Sequence, residues 1–253
     1  MSKIAIIGYG HVGKAMHHLF PDAAVYDKYQ PEYADRDAVQ GADLALVCVP
    51  TPRADDGSAD VSAVEEVVGW CDARVICLKS TVPPGTTDRL SRETGKHIVF
   101  SPEYEGETPW SKAACEWPYV IAGGERWAAN EVLGYFQRVL GPGKSYWTTD
   151  ATTAELVKYM ENCWLAMQVI FAHEFSEIAS GVGADYNAVR ELWALDPRVS
   201  ASHTLVFADA VGVSGRCLPK DLDAIITVAE ACSAEPILLR AIRESNARFR
   251  DVD

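Results

Sequence analysis

Two short stretches of this sequence hold residues that could work on a carbonyl or an alcohol. In "SGRCLPKD", Cys217 and Asp221 stand four apart, with Pro219 placed to open a helix. A thiol near a helix N-terminus, with Arg216 and Lys220 beside it, is expected to ionise readily, which suits nucleophilic attack on a carbonyl. In "AELVKYMEN", Lys158 and Asn162 are also four apart and so share one helix face. An amine and an amide together can hold a developing oxyanion or relay a proton from an alcohol. A solvated helix face is the bland alternative for that pair. "KSTVPPGT" runs a strand end into a Pro/Gly turn and puts Ser80 and Thr81 where ligands bind in open parallel sheets. "SPEYEGE" does the same with Glu103 and Glu107.

These residues need a frame. "IAIIGYGHVG" has Gly8, Gly10 and Gly13 as G-x-G-x-x-G between an apolar strand and a helix, with Tyr9, His11 and Val12 filling the loop. The glycines permit a tight turn and close approach of a pyrophosphate, which then sits on the helix N-terminus. His11 is read as a spacer. "AVYD" ends the second strand on Asp27, whose carboxylate can hold adenosine ribose hydroxyls and would repel a 2′-phosphate. NAD is therefore the expected cofactor, with Lys28 next door the one residue arguing for NADP.

"DLALVCVP", "ARVICLKS", "HIVFSPE" and "PYVIAGG" read as further strands, and "VSAVEEVVGWC" and 127–140 as helices. Short apolar strands alternating with helices predict an α/β domain with a parallel sheet covered on both faces. From Thr149 on, "TTAELVKYMENCWLAMQVIFAHEFSEIASGVG" is one long helical run, apolar around much of its circumference, that stops at Gly181 and Gly183. Shorter helices follow from "DYNAVRELWA", "PKDLDAIITVAEAC" and "EPILLRAIRESNARF". The expected organisation is a Rossmann dinucleotide-binding domain over 1–150 and a helical dimerisation domain over 151–253.

The bulk numbers exclude several classes. A chain of 253 residues with 48% hydrophobic and 23% charged residues can bury a globular core. A net charge of −13 argues against nucleic acid as a partner. No run nears the ~18 apolar residues of a membrane helix, and the opening "MSKIAIIGYG" is a strand and turn without leader character. Seven cysteines with no metal-ligand spacing predict neither disulfides nor a metal, and a reducing cytoplasm. Cys48 and Cys77 lie in apolar strand-like runs, Cys163 and Cys232 in helix-like stretches, and all four are expected in the core.

Taken together, "GYGHVG", "VCVPTP", "STVPPGT", "SPEYEGE", "AELVKYMENCWLA", "DPR" and "GRCLPKD", in that order, resemble the UDP-glucose/GDP-mannose 6-dehydrogenase family. The resemblance spans essentially the whole chain. It implies a four-electron oxidation of a sugar primary alcohol to a carboxylate with two NAD, of the kind that supplies uronic acids for polysaccharide biosynthesis. It assigns Lys158 and Asn162 to oxyanion stabilisation and Cys217 to a thiohemiacetal and then a thioester. It gives Thr81, Glu103 and Asp221 the ordering of the hydrolytic water. Val49, Pro50, Thr51 and Pro52 would line the cofactor cleft, Glu107 would lie at its nicotinamide end, Tyr104 would stand beside the substrate, and Arg198 would reach the sugar of a partner subunit. The family also implies a homodimer through the long helix.

The sequence departs from the family's pattern at Arg216, beside the cysteine where a small residue is usual, at Ser101 in place of Asn, and in the "TPW" after Glu107. The family continues into a second α/β domain that grips the substrate's nucleotide, so this chain is expected to be a truncated member without it. Two other readings remain open: a two-electron β-hydroxyacid-type dehydrogenase, which leaves Cys217, Asp221 and Glu103 without roles, and a non-catalytic NAD-binding assembly subunit.

Overall fold

The computed structural model describes residues 3–104 and 114–250. Two compact units emerge, Met1–Pro52 with Ala59–Lys158, and Arg53–Ser58 with Tyr159–Asp253.

The first unit is built on a seven-stranded sheet. Its strands are β1 (Ile4–Ile7), β2 (Ala24–Tyr26), β3 (Leu44–Val47), β4 (Val75–Leu78), β5 (Ile98–Phe100), β6 (Tyr119–Gly124) and β7 (Ser145–Thr149). They lie in the order β2-β1-β3-β4-β5-β6-β7. Its helices are α1 (His11–Leu19), α2 (Ser62–Trp70), α3 (Thr86–Thr94) and α4 (Arg126–Leu140). Successive strand residues point to opposite faces, which divides the core in two. Ala5, Ile7, Ala45, Val47, Ile76 and Leu78 pack with Val64 and Val68 of α2 and Leu90 of α3. Ile6, Leu44, Leu46, Val75 and Cys77 pack with Met16 of α1 and Val132 and Phe136 of α4. A strand buried on both faces must be apolar throughout, which is why these runs do not alternate.

The sheet is not wholly parallel: β6 runs antiparallel to β5, with Val99 opposite Gly124 and Phe100 opposite Gly123. A parallel return needs a crossover, usually a helix. Among the described residues linking these strands there is only a single 3-10 turn, Ala114–Glu116. Two elements had no clear sequence signal. α3 is largely polar, with only Thr86, Thr87 and Leu90 buried, and β7 is a part-exposed edge strand.

Helix α5 spans Ala151–Gly181 as one element. Asp150 caps it, its carboxylate accepting from Thr153 N (2.8 Å) and Thr153 Oγ1 (2.6 Å). In the second unit α5 is followed by α6 (Tyr186–Trp193), α7 (Cys217–Ala231) and α8 (Ile237–Arg250). Cys163, Ala166 and Ile170 of α5 form the core there with Leu222 and Ile226 of α7 and Ile242 and Phe249 of α8. Each large side chain so buried contributes about 1.5–3 kcal/mol. α7 opens at Cys217, two residues before Pro219, since proline is tolerated throughout a first helical turn where its missing N–H has no partner to lose. Cys77 and Cys163 are buried and Cys48 half-buried, but Cys232 is exposed where α7 ends.

Candidate active site and dinucleotide cleft

The glycine loop joins β1 to α1, beside the point where the strand order reverses. Gly8 has φ +92°, and a Cβ there would meet Cys48 O at 2.7 Å; one on Gly13 would fall 2.0 Å from Gly8 O. Gly10 faces open space and precedes α1 without a side-chain cap, so the helix's first N–H groups are open to an anion. His11 is exposed at the first position of α1, with Val12 half-buried behind it.

Asp27 follows β2. Its carboxylate accepts from Tyr9 N at 2.7 Å, Tyr29 N at 2.8 Å and, more weakly, Gln30 Nε2 at 3.5 Å, which orients it and leaves acceptor capacity for a ribose hydroxyl. Together with Gly8, Val49 and Pro50 it lines a cleft of about 480 Å³ walled by Ala63 and Trp70. Lys28 does not favour a 2′-phosphate here, because its ammonium is paired with Glu66 of α2 at 2.8 Å. The cleft thus shows two carboxylates and an apolar wall, which fits an adenosine with free ribose hydroxyls. A pyrophosphate fits the glycine loop for the reasons above.

The ends of β3 and β4 are sewn together. Ser80 Oγ donates to Val49 O at 2.7 Å, and Thr51 Oγ1 donates to Thr81 O at 2.8 Å. This fixes the 49–52 turn, in which Pro50 and Pro52 are exposed. Beyond β5, Lys158 Nζ donates to Glu103 O at 2.6 Å, lies 3.7 Å from Glu103 Oε1 and stands 5.2 Å from the Tyr104 ring centre. Lys158 is 6% exposed, so this is a desolvated amine with a carboxylate in reach. Glu107 lies outside the described residues.

In the second unit, Asn162 Nδ2 donates to Asp221 Oδ2 at 2.5 Å. Asp221 is 1% exposed and also accepts from Lys220. One turn earlier in α7, Cys217 occupies the first helical position and is exposed. The neighbouring Cys163 contrasts with it: burial, then the Asp221 charge, push its thiol up to about 12, which leaves it unreactive. Arg198 is exposed and grips Asp196, two residues back, through Nε and Nη2.

Sequence reasoning missed two buried groups of the first unit. Glu155 is 0% exposed and accepts from Gly85 N (2.6 Å), Thr87 N (2.8 Å) and Thr87 Oγ1 (2.6 Å), capping α3 from the first turns of α5. Lys79, 4% exposed, ends the β4 run. Lys79 carries one signal, a charge directly after the apolar run "VICL"; Glu155, in "DATTAELVKYME", carries none. Among the described residues no three His, Cys, Asp or Glu side chains converge as metal ligands, and no helix is long and apolar enough to cross a membrane.

Known proteins similar to this chain identify its family. Two models of one family match the chain: "UDP-glucose/GDP-mannose dehydrogenase family, NAD binding domain" over residues 22–136, and the same family's central domain over 152–248. A UDP-N-acetyl-D-mannosamine dehydrogenase of Methanocaldococcus jannaschii is 31% identical over 81% of this chain and 48% of its own length. A UDP-glucose 6-dehydrogenase of Haloferax volcanii is 29% identical over 84% of this chain and 54% of its own. The solved structure of a UDP-glucose dehydrogenase from Pyrobaculum islandicum superposes with a TM-score of 0.82 at 26% identity, covering 98% of this chain and 68% of that one. The chain therefore spans about half of these two curated relatives. The cofactor these matches assign to the fold is NAD.

Proposed function

This chain belongs to the UDP-glucose/GDP-mannose dehydrogenase family, and from that premise we propose that it oxidises the primary alcohol of a nucleotide sugar, UDP-glucose first among candidates, to the uronate. The observation that carries the reading is the bond from Asn162 to the buried Asp221, which ties the "KYMEN" helix to the helix that begins at Cys217. A β-hydroxyacid-type oxidation would leave that carboxylate and that cysteine without work.

NAD, when bound, accepts a hydride at each of the two oxidations. The chain's own residues do the rest. Lys158 and Asn162, one helical turn apart on α5, stabilise the oxyanion as the alcohol gives up its proton and, later, the tetrahedral oxyanions. Cys217, exposed at the first turn of α7, adds to the aldehyde carbon to form a thiohemiacetal, which the second oxidation converts to a thioester. Asp221, Glu103 and Thr81 order the water that hydrolyses it. Asp27, Gly8, Gly10 and Gly13 hold the adenosine and pyrophosphate ends of the cofactor, with Tyr9 to Val12 completing the loop. Val49 to Pro52 and Ser80 line the way to the nicotinamide, Tyr104 faces the sugar, Arg198 reaches the sugar bound by a second copy of the chain, and the setting is cytoplasmic.

A second copy of the chain covers α5. Met160, Trp164, Phe171, Phe175, Ile178 and Val182 recur at helical spacing and are 41–75% exposed, continuous with Trp193 of α6. Such a stripe on a soluble helix is an interaction face.

The deciding assay counts NADH formed per UDP-glucose consumed in the wild type and in Cys217→Ser. Two per sugar in the wild type, and a halt at the aldehyde stage in the variant, is the expected result. One per substrate, indifferent to the substitution, would sink the proposal.

A further inference from the structure

Lys79 has no role in the chemistry above, yet it sits among its parts. It follows Leu78, the last residue of β4, and precedes Ser80 and Thr81. Its Nζ donates to Ser101 Oγ at 3.2 Å and to Pro102 O at 3.0 Å, and stands 5.2 Å from the ring centre of Phe136 on α4. The next residue, Glu103, is the one held by Lys158 through its carbonyl and carboxylate. Two lysines thus hold three consecutive residues from opposite ends.

Both acceptors of Lys79 are neutral, and burial pushes its amine below the ordinary lysine range. The titratable groups facing it are Cys77 of β4, Cys48 after β3, Glu103, and Lys158 of α5. A neutral amine still has two N–H donors. It can therefore keep both bonds in either protonation state, so the hold on Ser101 and Pro102 does not depend on charge. A methionine would fill the same space without the desolvation cost, so what this lysine adds is the two donors.

We propose that Lys79 is a positioning residue: by fixing Ser101 and Pro102 it sets the place of Glu103, and through Glu103 the place of the Lys158 amine. The catalytic part of this inference rests on the proposed oxidation, but the positioning part does not.

The test uses the full chain as wild type, Lys79→Met, Lys79→Arg and Ser101→Ala. Site-resolved acetylation by acetic anhydride, read by mass spectrometry, reports on Lys158 without any substrate. Lys79→Met should raise the Lys158 rate about tenfold, the loss of one charge-assisted bond, and Ser101→Ala by less. Lys96, held by Val68 O and Cys71 O, should not change. In turnover of UDP-glucose, a misplaced Lys158 should cost kcat up to about a hundredfold, with KM and NAD affinity within a few-fold. Lys79→Arg, which keeps donors, should recover part of that loss. An unchanged Lys158 rate in Lys79→Met, or a loss confined to NAD affinity, overturns the proposal. Should Lys79→Met not fold, Ser101→Ala carries the same signature at smaller size, and its absence there is equally fatal. A wild type that turns over no nucleotide sugar, with the Lys158 rate still raised in Lys79→Met, would refute the function while upholding the positioning role.

Discussion

The first two turns of α5 and the turns after them hold opposite kinds of side chain. At the front, Glu155 and Lys158 are buried polar groups whose partners lie in the same unit. There Gly123 of β6 lets the sheet come so close that a Cβ would lie 2.5 Å from Ala154 Cβ and from Asp150 O. Further on, one face is buried under α7 and α8 while the other shows Met160, Trp164, Phe171 and Phe175 to solvent. The front finds its polar partners within its own unit, and the rear leaves an apolar face exposed, the face proposed above to meet a second copy. Buried polar contacts and an exposed apolar stripe are thus divided along one helix.

The strongest break of that contrast is Gly123→Ala. The new methyl meets backbone as well as side chain, so unfolding free energy should drop by about 3 kcal/mol or more, read by urea denaturation. A loss under 1 kcal/mol would show that the front is looser than described. At the rear, Trp164→Asp with Phe171→Asp should weaken the dimer about a hundredfold or more with little change in the monomer's fold, measured by sedimentation equilibrium. If the wild type already sediments as a monomer at micromolar concentration, the assembly half of the comparison fails.

Glu155→Gln sharpens the front. An amide cannot accept from all three donors, and one amide N–H would face another, so a loss of about 1–3 kcal/mol is expected. The same variant tests pH dependence. Burial outweighs the three hydrogen bonds and holds the Glu155 carboxyl above its ordinary 4.5. A carboxyl with a raised folded-state value contributes most below 4.5 and loses that contribution as pH rises through the folded value. Urea midpoints taken upward from pH 4.5 should therefore decline more steeply in the wild type than in Glu155→Gln; parallel profiles would count against it. The smallest effect belongs to the surface pair Arg248–Glu177, 2.7 Å apart with both side chains half exposed. Arg248→Ala should shift stability by no more than about 0.5 kcal/mol, which separates a rear-end ion pair from the buried front.

Much of this was legible from residue order. The Gly8-Gly10-Gly13 loop, Asp27 after a strand, and the run of α5 to Gly181 follow from local rules, because a tight turn and a 3.6-residue period are decided by near neighbours. Cys232 misled, since a helix-like stretch around a cysteine does not say whether a neighbouring element covers it. The antiparallel β6 was hidden because strand direction depends on the connection and not on the strand's own residues. Lys79 and Glu155 were the deeper omissions. Lys79 reads as a charge at the end of an apolar run and Glu155 as one charge among the polar residues that open a helix, and nothing adjacent names the partner of either.

By itself, then, the order of residues determined the dinucleotide fold, the glycine loop between β1 and α1, the long helix and the family to which the chain belongs. The tertiary structure alone decided which charges are buried and what they hold: Glu155 on an amide 68 residues away, Lys79 on a hydroxyl 22 residues away, Asn162 on a carboxylate 59 residues away. The reason is physical. Turn and helix preferences act over a few residues, whereas a buried polar group is tolerated only where the folded chain brings a partner to it, and that partner can come from anywhere along the sequence.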